Sequence, residues 1–255
     1  MEHNQALSIA LLAGEIMLAN GAETHRIEDT LKRILLSLGF ARAETFVTAT
    51  GIFVSLGNES GSSGIKRVNA RSYHMQKIAR VNEVSRQLTA GKITPALAME
   101  ALETIALMPP YKLWIRMLCS GIACFCFCLM FGGGLSDCGA AFINGVIVCA
   151  VTNYLNGRYV SSFLTNLFGG AVISGITVAL LNAGLGHSME NIIFGAIMPL
   201  VPGITMTNGI RDILEGDFLS GGSRMAEALI IAVAIAVGIG TVLQLWAAFF
   251  GSVTI

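Results

Sequence analysis

The run Met198-Pro199-Leu200-Val201-Pro202-Gly203-Ile204-Thr205-Met206-Thr207-Asn208-Gly209-Ile210-Arg211-Asp212 is the densest set of residues here able to handle a small solute. Its prolines lack amide donors, so a helix through them loses hydrogen bonds and leaves carbonyls free. Broken helices are tolerated at membrane depth only against protein or a water-filled cavity, where they bind substrates and ions. Thr205, Thr207 and Asn208 offer neutral hydrogen-bonding groups, Arg211 suits a carboxylate, and Asp212 stands beside it. Pro202, Gly203, Thr205, Thr207, Asn208, Arg211 and Asp212 are therefore candidates for a substrate path. The alternative is a kinked span whose cytoplasmic end is anchored by Arg211. Upstream, Ser162, Asn166, Gly170 and Ser174 recur at four-residue steps, a stripe that either packs helices closely or continues the path through Asn166 and Ser174. Asn144, Thr152 and Asn153 add polar groups to the preceding apolar segment, while Ala232, Ala236 and Gly240 have the spacing of tight helix packing.

Other chemistries find less support. Cys119, Cys124, Cys126, Cys128, Cys138 and Cys149 all fall in or beside two apolar segments, and on a helix Cys126 points away from Cys124 and Cys128, so packing is expected rather than a metal site. His3, His25, His74 and His187 lack paired ligand spacing, and no Gly-x-Ser-x-Gly elbow occurs. The Asn58 to Gly64 run is not followed by Lys-Ser/Thr, which makes it a turn rather than a phosphate cradle. Glu23, Glu28 and Asp29 are acid/base candidates, but Glu28 precedes Lys32 by four residues, the spacing of a solvated helix face. Neither a catalytic residue, a metal nor a cofactor is expected.

The elements that carry these residues are membrane helices. Hydrophobic side chains make up 54% of the 255 residues and charged ones only 13%, against about 25% charged in soluble domains. The formal net charge of zero gives no basic field for nucleic acid. Charge is unevenly spread: residues 1–112 hold 12 Lys/Arg and 10 Asp/Glu, the remaining 143 residues only 4 and 6. A boundary is therefore expected at Pro109-Pro110, with a domain at 1–110 and a transmembrane domain at 113–255. The latter contains five apolar segments, about 114–131, 139–156, 160–183, 191–208 and 225–250, each near the roughly 20 residues that cross a hydrocarbon core. No basic leader precedes the first helix. Placing the N-terminus in the cytoplasm puts Arg116, Arg158, Arg211 and Arg224 at cytoplasmic ends and leaves only Asp137 and Glu190 in the opposite loops. A longer polar loop around Arg211 to Arg224 is expected between the last two segments, and five spans then leave the C-terminus outside.

The first 110 residues read as α+β. Ile27, Leu31, Ile34, Leu35 and Leu38 make one face of a helix over 22–38 that stops at Gly39, and a helix over 6–19 stops at Asn20-Gly21. Residues 45–56 and 65–71 have strand composition and predict a β-hairpin or meander. Two helices follow at 73–89 and 95–106, the second with Thr94 as N-cap and Pro95 in its first turn.

Gly21-Ala22-Glu23-Thr24-His25-Arg26-Ile27-Glu28 resembles the start of the threonine/serine exporter (ThrE) family, and Val201-Pro202-Gly203 with Asn208, Asp212, Gly216-Asp217 and Ser220-Gly221 resembles its second signature. The order and spacing of the two make the resemblance extend over essentially the whole chain. It places Gly21, Glu23, Arg26 and Glu28 in the soluble signature, and Asp217 and Gly221 with the candidates above in the membrane one. Full-length members join this half to a second group of spans. A chain of this length is similar to the split form, for which the resemblance implies succinate export together with a separate, smaller membrane subunit. The function expected is export of a small carboxylate solute, threonine/serine or succinate, across the cytoplasmic (inner) membrane, driven by an ion or proton gradient, by an oligomeric, non-enzymatic protein in the bilayer. The alternatives are a membrane-anchored cytoplasmic enzyme with hydrolase-like chemistry and a solute-sensing regulatory subunit.

Overall fold

The computed structural model describes residues 3–57, 61–68, 72–158 and 160–250. Asn58 to Ser60 of the expected turn, Asn69 to Arg71 at the expected strand end, and the C-terminal residues 251–255 lie outside the described residues. The chain divides into two compact units, one of residues 1–110 with 204–226, the other of residues 111–203 with 227 onward.

In the first unit, α1 (His3–Ala19), α2 (Thr24–Ser37), α3 (Met75–Thr89) and α4 (Pro95–Ala106) accompany an antiparallel sheet of β1 (Glu44–Val47), β2 (Gly51–Ser55) and β3 (Ser63–Arg67), in that order. The heptad-like spacing of α2 buries Ile27, Leu31, Ile34 and Leu35, which join Ile9, Met17, Val47, Ile52, Leu56 and Leu102 in one core. Thr94 caps α4 through its hydroxyl, which accepts from the Leu97 amide at 3.4 Å. The 45–56 stretch is two strands rather than one. It turns at Thr48-Ala49-Thr50 so that Phe46 pairs with Phe53 and Val47 with Ile52, and β3 completes a meander. α9 (Gly203–Leu214) supplies residues 204–214 of this unit, and the first turns of α10 (Phe218–Phe250) supply its last residues.

In the second unit, α5 (Leu113–Met130), α6 (Leu135–Asn156), α7 (Ser162–Asn182) and the rest of α10 accompany the short α8 (Met189–Ile197). α5, α6, α7 and α10 are long and apolar enough to cross a membrane. At Gly170 of α7 an added Cβ would lie 2.5 Å from the Ile235 carbonyl oxygen of α10, so this pair packs backbone to backbone. Asp137 ties the α7–α8 connection to the start of α6 by accepting from the amides of Gly134 (3.1 Å), His187 (2.6 Å) and Ser188 (3.1 Å).

The fourth apolar segment is broken, as its prolines imply, into two helices, α8 and α9, interrupted at residues 198–202, where Pro199 and Pro202 have no amides to continue the ladder. Two expectations are corrected. The polar stretch 211–224 is not a loop: α9 continues to Leu214, and after a turn at Glu215 to Asp217 α10 begins at Phe218. The small residues of α10 that pack are not the expected set. Ala232 and Ala236 are exposed and an added Cβ at Gly240 meets nothing within 4 Å, whereas Gly238, on another face, lies against Leu167 and Ala171.

Candidate functional site

The two signature runs meet within the first unit. Residue 24 opens α2, and its helix begins without a hydrogen bond from the side chain of the preceding Glu23. The first amides of a helix have no intrahelical acceptor and carry the positive end of its dipole. Here that need is met across 188 residues: Asp212 Oδ1 accepts from the Thr24 amide at 3.3 Å, and its Oδ2 accepts from the Thr24 hydroxyl at 3.1 Å. α9 brings Asp212 to this position because Asn208, one turn earlier on the same face, donates through Nδ2 to the Gly21 carbonyl at 3.0 Å. Another turn back, Thr205 shares a 2.6 Å hydrogen bond with the Tyr73 hydroxyl. Thr205, Asn208 and Asp212 thus form the i, i+3, i+7 edge of α9, and all three are buried.

Arg224, on the first turns of α10, completes the cluster. Its Nε stands 3.1 Å from Asp212 Oδ2, and its side chain is 7% exposed against 0% for that of Asp212. The second guanidinium arm donates to the Ala22 carbonyl and the Thr24 hydroxyl oxygen, each at 3.3 Å. The Nε–H itself is not aligned with any acceptor. Gly221 allows this approach of α10 to α9, since a Cβ there would lie 2.7 Å from the Gly209 carbonyl oxygen. Burial holds the Asp212 carboxyl above its ordinary value, and it outweighs the opposing pull of Arg224 and Thr24.

Two hollows adjoin this ion pair. On one side, an open cleft of about 310 Å³ is walled by Thr24, His25, Glu28, Asp212, Glu215 and Asp217, with Phe46 and Gly216. On the other, an enclosed cavity of about 20 Å³ is walled by Arg224, Asn208, Thr205, Tyr73, Ser72 and Gly21, with Leu18 and Ala49. Gly21 serves the second wall in two ways. Its φ of +88° suits glycine, and a Cβ would meet the Tyr73 ring at 2.7 Å.

The remaining candidates fall as follows. Arg211 is exposed and pairs with Glu23, so the arginine expected to meet a solute carboxylate already has an internal one. Glu28 accepts from the Val47 amide at 2.9 Å and so fixes α2 to β1, while the exposed Asp29 pairs with Arg33. Arg26 is exposed; its carbonyl accepts from Thr30 at 2.8 Å. Asp217 caps the start of α10 by accepting from the Ser220 amide at 3.1 Å. Thr207 is exposed and donates to the Ile204 carbonyl at 3.1 Å. Pro202 is half-buried and Gly203 exposed, at the break that precedes α9. Asn166 and Ser174, in the second unit, each donate at 2.8 Å to a carbonyl four residues earlier in α7. No group of three or more metal-ligating side chains occurs among the described residues.

Sequence reasoning did not single out Thr24, Tyr73 or Arg224 as site residues. For Arg224 the signal was present but masked: an arginine at the start of a long apolar helix reads as a topological anchor. Tyr73 has no local signature.

Comparisons with known proteins follow from the same residues. The sequence model for threonine/serine exporters matches residues 8–246. A probable threonine/serine exporter of Mycobacterium tuberculosis is 22% identical over 241 residues, which are 92% of this chain and 45% of that protein. The threonine/serine exporter of Corynebacterium glutamicum is 22% identical over 262 residues, 96% of this chain and 52% of its own. The probable succinate transporter subunit YjjP of Escherichia coli is 22% identical over 242 residues, 93% of each chain. The chain therefore spans about half the length of the first two relatives and nearly all of the third. No solved structure matches.

Proposed function

The chain belongs to the threonine/serine exporter family, and from that premise we propose that it is one subunit of a secondary exporter of a small carboxylate solute, threonine/serine or succinate, in the cytoplasmic membrane. The observation that carries this reading is the family match over residues 8–246, which takes in both signature runs and the cluster they build around Asp212. A separate membrane subunit would supply what the relatives of twice the length carry in one polypeptide. The role is transport rather than catalysis, with an ion or proton gradient as its energy source.

Crossing parity supports termini on opposite sides of the membrane, and the positions of Arg116, Arg158, Arg211 and Arg224 favour the N-terminus as the cytoplasmic one. α5, α6 and α7 are each long and apolar enough to cross once, and three crossings would bring residue 189 to the far side. Residues 205, 208 and 212 bond to residues 73, 21 and 24, so the chain must return between 189 and 204. The nine residues of α8 cover about 14 Å at 1.5 Å each, under half of a core about 30 Å thick. We read the return as this broken segment, α8 with the turn at 198–202, an arrangement in which transporters expose backbone groups to a solute. α10 then makes the fifth crossing.

The test is efflux of labelled threonine, serine and succinate from preloaded cells that express this chain with and without a candidate second subunit, a short protein of about four or five apolar spans. Export of one solute, dependent on both chains, is expected. Equal efflux of all three with and without the pair refutes the reading.

A further inference from the structure

The outer face of the sheet forms a trough with unlike walls. Side chains alternate between the two faces of a strand, and Val47, Ile52 and Val54 point into the core, so their neighbours point away from it. The register sets those neighbours in two rows across the three strands: Glu44 beside Ser55 beside Ser63, and Phe46 beside Phe53 beside Ile65. The rows stand two residues apart along the strands, about 7 Å. One wall is therefore polar and the other apolar, and all three apolar side chains are exposed. These residues line a hollow of about 670 Å³, well within the range of ligand pockets, about 300–1,000 Å³. α2 packs along β1 and adds Lys32 to the lining.

Two opposite charges meet this hollow without neutralising each other. The helical partner expected for Lys32 is Glu28, four residues earlier, but Glu28 accepts from the Val47 amide at 2.9 Å. Asp29 is paired with Arg33, and Glu15 with Lys66. Among the described residues neither the Lys32 ammonium nor the Glu44 carboxylate has a hydrogen-bond or ion-pair partner, although both side chains line the hollow. A simple cation there is repelled by Lys32, and a simple anion by Glu44. A zwitterion presents its carboxylate to Lys32 and its ammonium to Glu44, with a charge-assisted hydrogen bond at each.

Taking its candidate solutes from the exporter reading, on which it rests, we propose that this trough is a binding site for a free α-amino acid with a short side chain. The charged head lies between Lys32 and Glu44, and the side chain extends across the strands between the two walls. Threonine suits both walls, with its hydroxyl toward Ser55 and its methyl toward Phe53. Serine lacks the methyl and valine the hydroxyl. Succinate has no ammonium for Glu44 and brings a second carboxylate toward it. The trough thus separates the two solute classes that the exporter reading leaves open, and the first unit acquires a role of its own, which is to sense the amino acid.

Calorimetric titration of the full-length chain in detergent at pH 7 tests this, with threonine, serine, valine, succinate, threonine amide and β-hydroxybutyrate as ligands. Threonine should bind more tightly than serine or valine, and succinate should bind far more weakly. Lys32→Met and Glu44→Gln should each weaken threonine about tenfold, the lower range for a hydrogen bond to a charged group. The altered ligands make the same test without altering the protein's fold. Threonine amide has no carboxylate, so Lys32→Met should not weaken it; β-hydroxybutyrate has no ammonium, so Glu44→Gln should not weaken it. The absence of heat with threonine, succinate bound as tightly as threonine, or threonine binding unchanged in either variant overturns the proposal. A two-chain mass in light scattering that Phe53→Glu reduces to one, without threonine heat, assigns the face to a second copy and overturns it as well. Cellular efflux is scored separately: efflux without threonine binding to the purified chain discards this site and keeps the exporter reading. Threonine binding that Lys32→Met weakens, without efflux, keeps the site and discards that reading.

Discussion

Arg224→Gln removes one charge of a buried pair and leaves the other in place. With side-chain exposures of 7% and 0% for Arg224 and Asp212, solvent screening is slight, so the relevant cost is that of an uncompensated buried charge, about 3–5 kcal/mol, rather than the 0–1 kcal/mol or so of a surface pair. An Asp212 carboxylate left alone still holds the Thr24 amide and hydroxyl, and it can escape part of the cost by protonation, which places the expectation near 3 kcal/mol. At about 2–4 °C per kcal/mol for a chain of this size, thermal unfolding in detergent should fall by roughly 6–12 °C. Combining Arg224→Gln with Asp212→Asn removes both charges and keeps an acceptor for Thr24, so most of the loss should be regained. Arg211→Gln supplies the internal control: that residue pairs with Glu23 at exposures of 56% and 26%, and its loss should cost about 1 kcal/mol or less. Equal losses for Arg224→Gln and Arg211→Gln, or a double mutant no better than Arg224→Gln alone, would refute the reasoning that burial sets the cost.

Asp212 also fixes a pH dependence. Because burial raises its folded value above the ordinary 3.8, the folded chain binds this proton more tightly than the unfolded one; the stability it contributes is complete below about 3.8 and lost as pH rises through the folded value. Wild type should accordingly lose stability relative to Asp212→Asn between pH 4 and pH 7, and the opposite slope in parallel melts would contradict the sign. Gly21→Ala combines a left-handed φ with a clash against Tyr73, whereas Gly39→Ala meets strain at φ +94° but no neighbour within 4 Å. Melting curves should show a loss of about 1–3 kcal/mol for the first and less for the second. Asn144 of α6 is fully buried, with its amide nitrogen donating to Thr177 at 2.8 Å and to the Ile173 carbonyl at 3.3 Å while its oxygen lacks a partner. An unmet buried polar atom costs about 1–3 kcal/mol, so Asn144→Leu should melt within about 1 kcal/mol of wild type or above it; a loss beyond 2 kcal/mol or so would assign the amide a larger structural role. Finally, a compartment-sensitive reporter fused after residue 250 should register outside the cytoplasm, and an inside signal would remove the crossing assigned to residues 189–203.

Periodicity made α2 and the long apolar helices legible, and the Thr94-Pro95 pair announced α4 because capping and fixed φ act locally. The β1–β2 turn was invisible for the same reason: Thr48-Ala49-Thr50 contains no glycine, proline or asparagine, and only the pairing of Phe46 with Phe53 reveals that the strand folds back. Residues 211–224 were misread as a loop because their polar side chains suggest exposure, yet Asp212 and Arg224 are polar because they face each other. Asn166 and Ser174 were legible as polar groups, and the bonds they make, to carbonyls of their own helix, follow from local geometry. Thr205, Asn208 and Asp212 were picked out individually for their chemistry. That they form one edge follows from helical spacing, but what the edge meets depends on contacts more than 130 residues away in sequence.

Those contacts change what belongs to the first unit. A boundary drawn at Pro110 from charge density separates α2 from the residues that complete it. Without residues 204–226, the Thr24 amide loses Asp212, the Gly21 carbonyl loses Asn208, the Ala22 carbonyl loses Arg224 and the Tyr73 hydroxyl loses Thr205. Each is a polar group with a partner in the complete unit, and in a 1–110 fragment each would be returned to water or left unpaired. The apolar core of α1 to α4 and the sheet is built within residues 6–105 and needs none of them. The fragment should therefore retain its secondary structure while the end of α1, the Gly21 turn and the start of α2 exchange amide hydrogens faster than in the full chain. Equal protection of the Thr24 amide in both would show that α2 begins without Asp212, and the link drawn here between the two signature runs would then have no energetic basis.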